Sequence, residues 1–256
     1  IRMSAGDLNA WVALIGFILG VGTGTIMLKK GSTLGRAHET NQASGTVLPI
    51  LMIGVLILAL FTSLLKSSTA GPGSMHAPII ASFIGGLVFG AFAQKSRMCF
   101  AGGIRDVILM KNFDLLTIMG SLFVVMLIFN IATGRFVLGF NTPGIIAHSE
   151  HLWNILGMYV VGFAAVLAGG CPLRQLILAG QGSSDSAVTV LGMFIGAALC
   201  HNLGLASSGT AINPETKKVV AGAVTANGKV AVIICIIACF VIAFTNKRKI
   251  AAITNK

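Results

Sequence analysis

The sequence has few charged residues, and long apolar runs take their place. Only 10% of its 256 residues are charged and 55% are hydrophobic, whereas about 25% of the residues of a typical soluble domain are charged. This composition excludes an ordinary soluble domain. Several apolar runs reach the roughly 20 residues that cross the hydrocarbon core of a bilayer. We therefore interpret the chain as a polytopic membrane protein.

The sequence also lacks the cysteine pattern of a disulfide scaffold, which is typical of small, secreted, cysteine-dense chains. Of its five cysteines, Cys235 and Cys239 lie inside an apolar run, where we expect them to pack. No Walker motif or dinucleotide fingerprint is present, so we expect no ATP use, no cofactor and no resident metal. The chain begins at Ile1 rather than Met, which leaves open an N-terminal portion that carries a further repeat half or another cysteine.

Seven runs are apolar over about the length of a membrane span, although the third and the fifth are short. The chain has 32 glycines, and small residues allow membrane helices to approach closely. We place the spans at 9–28, 46–65, 78–94, 115–134, 152–169, 186–203 and 229–245. The fold class predicted from this pattern is an all-α membrane protein with about seven transmembrane helices.

The basic residues are distributed unequally between the two sides that this topology defines. If the C-terminal tail is cytoplasmic, most of the 18 Lys and Arg residues fall on the inner side, as the positive-inside rule requires. We therefore predict a multi-pass protein of the inner membrane with a cytoplasmic C-terminus. Topology also explains the net charge of +11 without a nucleic-acid partner, although part of that charge could attract an anionic substrate.

Two apolar runs end in a short polar break that contains a cysteine. The third span is followed by RMCFAGGIRD at 97–106, and the fifth ends in LAGGCPLRQL at 167–176. The segments that follow, 101–112 and 172–182, are too short to span a bilayer. Broken backbone at membrane depth is tolerated only where protein or a water-filled cavity surrounds it. We therefore predict two re-entrant half-helices.

The residues around the breaks suit an anion. The N-terminus of a half-helix offers free N–H groups and positive potential, and Cys99 and Cys171 lie at these two N-termini. A thiol there either ionises more easily or donates an S–H hydrogen bond. Arg105 with Asp106, and Arg174, either hold the anion or form structural ion pairs, and the sequence leaves both alternatives open.

Three connections on the predicted inner side share a layout, which suggests internal repeats. Aligning Cys99 with Cys171 also aligns Gly120 with Gly192, and the first connection, KKGSTLGRAHE, aligns through Lys30 and Lys95. Repeats on one side of the membrane imply a pseudo-axis along its normal and hence a central path. We predict a single membrane domain, 1–256, with copies at about 9–66, 78–134 and 152–203 and a final span at 229–245.

The motifs SRMCFAGGIRD and GGCPLRQL, preceded by KKGSTLGRAHE, resemble the YeeE/YedE family of sulfur- and selenium-related membrane transporters. The resemblance extends from about Gly20 to Ala243, and KKGSTLGRAHE is most similar to the YedE branch of selenium transporters. It implies a compact helical bundle that short helices enter from the membrane faces. One branch of the family imports thiosulfate, with cysteines spaced along a central path.

Carried over by motif, the resemblance makes Cys99 and Cys171 relay thiols. Their predicted substrate-binding neighbours are Gly102, Gly103, Gly170, Arg105 and Arg174. The first copy departs from the pattern, because it has Ser32, Thr33 and Leu34 where a thiol is expected.

The expected function is therefore transport of a small sulfur- or selenium-containing anion, and not catalysis. Two other functions remain open: a membrane thiol–disulfide electron carrier, and an anchor for a soluble sulfur- or selenium-handling partner. The expected partners are the anion, the lipid bilayer and a cytosolic protein such as a sulfurtransferase.

Overall fold

The computed structural model describes residues 2–32, 34, 41–62, 77–140, 148–208, 211–212, 219–220 and 222–246. This part of the chain is almost entirely helical. Its helices are α1 (Leu8–Lys29), α2 (Gln42–Phe61), α3 (Ile79–Lys95), α4 (Phe100–Met110), α5 (Asp114–Ala132), α6 (His151–Leu167), α7 (Pro172–Gly180), α8 (Ser184–Asn202) and α9 (Ala226–Thr245). One 3-10 turn, Met3–Ala5, precedes α1, and two-residue strands, β1 (Ala211–Ile212) and β2 (Val219–Val220), pair antiparallel between α8 and α9.

Seven segments of the described chain are long and apolar enough to cross a membrane, which confirms the predicted fold class. Five of them are single helices, namely α1, α2, α5, α8 and α9. The other two each combine a long helix with the short helix that follows it, at Ile79–Met110 and His151–Gly180. The helices α3 and α6 have only 17 residues each, near the lower limit for a span. The predicted short helices are present as α4 and α7.

The bounds of α2 differ most from the prediction, since the helix begins at Gln42 and ends at Phe61 instead of running over 46–65. Its first turn is polar. The hydroxyl of Ser44 donates to the carbonyl of Asn41 at 3.0 Å, and that of Thr46 donates to Ala43, also at 3.0 Å. Because these hydroxyls bond to backbone carbonyls of their own turn, polar residues that hydropathy assigns to a loop begin the helix.

The chain divides into two compact units. The first contains Ile1–Gly35, Cys99–Cys171 and Ala197–Lys256, and the second contains Arg36–Met98 and Pro172–Gly196. The second unit has a small apolar core where Leu48 of α2 meets Ala179 of α7 and Val190 of α8. In the first unit α6 packs against α1 and α9, and α4 packs against α1, α5 and α6.

The helices α1 and α6 touch through their backbones. A Cβ atom added at Gly16 would lie 2.1 Å from the carbonyl oxygen of Ile155, so only glycine allows this approach. The contacts advance together along both helices and pair Gly16 with Ile155, Gly20 with Tyr159 and Gly24 with Val166. The two helices therefore run parallel, and their C-terminal ends lie at the same level of the first unit.

Candidate functional site

The helices α1, α3 and α6 end in the same hydrogen-bonded arrangement. After the last turn, three consecutive N–H groups bond back to carbonyls four, three and five residues earlier, as in a Schellman motif. The middle residue has a left-handed backbone in each case: Gly31 (φ +87°), Arg97 (φ +52°) and Gly169 (φ +80°). The chain therefore leaves all three helices in the same way.

The shared arrangement changes the register of the first connection. Cys99 and Cys171 each lie two residues after the left-handed residue, and counting from Gly31 places Thr33 at the equivalent position. The sequence alignment of Lys30 with Lys95, which places Leu34 there, is therefore wrong by one residue. The error arose because a sequence does not show the sign of φ at Arg97. Most of the first connection, residues 33 and 35–40, lies outside the described residues.

The break after α3 and the break after α6 come together at Cys99. It is the N-cap residue of α4, and its Sγ accepts hydrogen bonds from the N–H of Gly102 at 3.2 Å and from the N–H of Cys171 at 3.4 Å. Both cysteines are buried and free of disulfides. Cys171 directly precedes Pro172, the first residue of α7. The two motif cysteines therefore form one pair.

The predicted glycines hold this pair closely. All three, Gly102, Gly103 and Gly170, are buried. A Cβ added at Gly102 would lie 3.1 Å from Cys99 Sγ, whereas one at Gly103 would lie 2.7 Å from the Cε of Met119 on α5. The N–H of Gly170 completes the end of α6 by donating to a carbonyl of that helix at 2.9 Å. Gly102 is thus the glycine that allows the close contact with Cys99 Sγ, whereas Gly103 allows close packing of α4 against α5.

The two predicted arginines have different surroundings. Arg105, on α4, pairs with its neighbour Asp106 through contacts of 3.0 and 2.9 Å, and its side chain is 33% exposed. Of the two alternatives for Arg105, the structure shows the ion pair. Arg174 lies on α7 in the second unit, is partly buried, and forms no ion pair with the described residues.

The three remaining cysteines lie apart from the pair. Cys239 is buried and packs with Phe163 and Ala243, as expected for a packing residue. Cys200 and Cys235 are exposed on the protein surface, where lipid would surround a transmembrane helix.

Sequence reasoning gave no role to Ser32, which it treated only as a position without a thiol. The side chain is 1% exposed, and its Oγ has no hydrogen-bond partner among the described residues. A buried hydroxyl without a partner is rare in folded proteins. Only its place in the repeated break, directly before the position of the cysteines, could have drawn attention to it.

Residues 95–256 match the model of a protein family described as sulphur transport. The chain belongs to this family, the YeeE/YedE family. The thiosulfate transporter TsuA of Escherichia coli (strain K12) is 29% identical over 112 residues, which are 42% of this chain and 30% of that protein. The thiosulfate transporter TsuA of Spirochaeta thermophila is 29% identical over 113 residues, 44% of this chain and 33% of that protein.

The match spans about a third of the length of these curated relatives. No solved structure is significantly similar to the chain. The matched region of the family model begins at Lys95, at the end of α3, and includes both cysteines. The family is one of transporters, in agreement with the expectation that the protein is not an enzyme.

Proposed function

We propose that the protein carries a small sulfur-containing anion across the inner membrane through a path that passes the Cys99–Cys171 pair. Thiosulfate is the first candidate, because the two curated relatives are named as thiosulfate transporters. A selenium-containing anion of similar shape is the second candidate. The observation that carries the proposal is the convergence of two helix breaks on one buried sulfur atom.

The geometry suits weak binding of an anion. The N–H groups at the start of α4 have no carbonyl of their own helix to bond to, and the dipole of the helix favours negative charge there. A thiol accepts through its sulfur and donates through its hydrogen. Cys99 therefore can accept the N–H groups of Gly102 and Cys171 while an S–H of the pair turns toward the anion.

Weak sites in series are what a transport path needs. An anion that enters a dry path must replace the hydrogen bonds of its water shell, and S–H donors replace them without binding so tightly that release stops. Arg105 adds positive potential beside α4, although its ion pair with Asp106 reduces that potential. In this arrangement Arg105 attracts the anion and the thiols make the contact.

The orientation and the downstream partner are part of the same proposal. The excess of basic residues on one side supports a cytoplasmic C-terminus. A cytosolic sulfurtransferase-like or selenium-handling protein would then receive the cargo.

Uptake of labelled thiosulfate by proteoliposomes that contain the purified protein tests the proposal. We expect saturable uptake that empty liposomes lack, with sulfate as a poor competitor because it has no terminal sulfur for the thiols. Competition by selenite would test the selenium alternative. Proteoliposomes that accumulate neither anion would contradict the proposal.

The contact between Cys99 and Cys171, which are both free cysteines, also favours a second candidate, the thiol–disulfide electron carrier. The two functions differ in the state of the cysteines during turnover. Rapid acid quenching followed by alkylation would show both thiols reduced throughout uptake if the protein is an anion transporter. A Cys99–Cys171 disulfide that forms and disappears at the rate of turnover would support the electron carrier.

A further inference from the structure

We propose that Ser32 is a third substrate-binding residue, whose hydroxyl donates a hydrogen bond to the transported anion beside the thiols of Cys99 and Cys171. The inference rests on the proposed transport function and adds a residue that the cysteine motifs do not contain. Its starting point is that Ser32 is buried although its hydroxyl is polar. The side chain is 1% exposed, yet its Oγ has no hydrogen-bond partner among the described residues.

Such a hydroxyl destabilises the fold unless something else bonds to it, because burial removes its water and nothing replaces that water. Thr25, seven residues earlier and on α1 itself, shows the usual solution. It is fully buried, and its Oγ1 donates to the carbonyl of Val21 at 2.7 Å. Ser32 follows the last turn of α1 and its own N–H donates to Met27 at 3.0 Å, but its hydroxyl remains available for a ligand.

The packing of the first unit brings the end of α1, which Ser32 follows, to the level of the end of α6. Because α1 and α6 run parallel and end in the same arrangement, Ser32 corresponds to Gly170, and Cys171 is the next residue. The helix α4, which Cys99 caps, packs against both α1 and α6. Because the end of α6 contacts the start of α4 through Cys171 and Cys99, we infer that Ser32 lies in the same layer of the first unit as the two cysteines.

The three donors differ in a way that matches a mixed sulfur–oxygen anion. A hydroxyl makes shorter and stronger hydrogen bonds than a thiol. The O–H of Ser32 suits an oxygen atom of thiosulfate, and the polarizable thiols suit its terminal sulfur. Ser32 is then a specificity-determining residue, since it recognises the end of the anion that hydrosulfide lacks.

The test measures thiosulfate uptake by proteoliposomes containing the wild-type protein, Ser32→Ala, Ser32→Cys and the control Thr25→Val. Loss of one hydrogen bond to a charged ligand predicts a KM about tenfold higher for Ser32→Ala, with a maximal rate per protein close to wild type. Ser32→Cys keeps a donor, so its KM should stay within about threefold of wild type. Thr25→Val removes a hydroxyl that already has a partner and should leave the KM unchanged.

A second readout separates binding from folding. Since the hydroxyl of Ser32 has no hydrogen-bond partner among the described residues, Ser32→Ala without substrate should melt at or above the wild-type temperature. A Ser32→Ala protein that melts lower or cannot be purified folded, or one with a wild-type KM, would overturn the inference and leave the proposed function standing. If the wild-type protein moves no thiosulfate, the proposed function itself fails and this inference fails with it.

Discussion

The backbone N–H of Cys171 donates to the Sγ of Cys99 at 3.4 Å, although the two residues are 72 positions apart in the chain. This bond joins the end of α6 to the start of α4, and both residues are buried. This contact makes the pair the candidate for a disulfide under oxidising conditions. Oxidation of the pair can therefore be used to test the proposed path.

Oxidation of this pair should stop transport. With the thiol oxidant diamide, the two thiols would lose two electrons and two protons to form a Cys99–Cys171 disulfide, while diamide is reduced to the hydrazine. We expect thiosulfate uptake to fall to the level of empty liposomes and to return after dithiothreitol. Mass spectrometry of the alkylated protein should identify the disulfide. A diamide-treated protein that contains the disulfide and still transports at the wild-type rate would contradict a path past these thiols.

Gly102 and Gly103 provide a matched pair of substitutions on α4. A methyl group at Gly102 meets Sγ and Cβ of Cys99 at 3.1 Å, whereas one at Gly103 meets the flexible tip of Met119. We therefore expect Gly102→Ala to displace the thiol and reduce uptake about tenfold or more, and Gly103→Ala to reduce it at most about threefold. Uptake should be divided by the amount of folded protein in each preparation. Equal uptake by the two variants would show that the position of the Cys99 thiol does not matter.

The backbone contact between α1 and α6 predicts where the fold is least tolerant. Gly20→Ala would put a Cβ atom 2.1 Å from the carbonyl oxygen of Tyr159, whereas Gly22, on the same helix, has nothing within 4 Å. We expect Gly20→Ala to lower the free energy of unfolding by about 1–3 kcal/mol or more. Gly22→Ala should be neutral or stabilising by up to about 1 kcal/mol. Melting temperatures in detergent would decide, and a Gly20→Ala protein as stable as Gly22→Ala would refute the close packing.

An ion pair between Glu150, which directly precedes α6, and Lys229, in the first turn of α9, predicts a dependence of stability on pH. Glu150 bonds to Lys229 at 2.9 Å and accepts the N–H of Val224 at 3.0 Å. The bond to Lys229, followed by that to Val224, lowers the pKa of Glu150 below its ordinary value of 4.5. A lowered carboxyl pKa stabilises the fold at pH values above 4.5, and this stabilisation disappears as the pH falls through the lowered pKa.

We therefore expect Glu150→Gln to melt below the wild type at pH 7, by a small margin because the pair is partly exposed. The margin should shrink as the pH falls from 4.5 through the lowered pKa of Glu150. Thermal melting of both proteins across this range is the measurement. A margin that grows as the pH falls would mean that the carboxylate does not stabilise the fold through this pair.

The fold was largely predictable, because a bilayer imposes one length on every apolar span. The two interrupted spans were also predictable from sequence, since Cys99 and Cys171 lie among glycines and arginines that continuous lipid-facing helices would not contain. The start of α2 was not predictable. A hydropathy scale counts Ser44 and Thr46 as polar, although their hydroxyls bond to carbonyls of the same helix turn.

The site was predictable only in part. The motifs identified Cys99 and Cys171 as separate candidates, but only packing shows that one sulfur accepts the N–H of the other residue. The sequence did not reveal the register of the breaks. The left-handed residue after α3 is Arg97, whereas the left-handed residues after α1 and α6 are glycines, Gly31 and Gly169. Ser32 was missed because a single serine after a helix carries no pattern, and its burial shows only in the folded structure.

The most direct test of the account compares thiosulfate uptake by Cys99→Ala and Cys235→Ala proteoliposomes at equal amounts of folded protein. Cys235 is exposed on α9, away from the pair, so its substitution controls for the loss of a thiol as such. The account predicts uptake at the wild-type rate for Cys235→Ala and uptake no faster than into empty liposomes for Cys99→Ala. Wild-type uptake by a folded Cys99→Ala protein would contradict it.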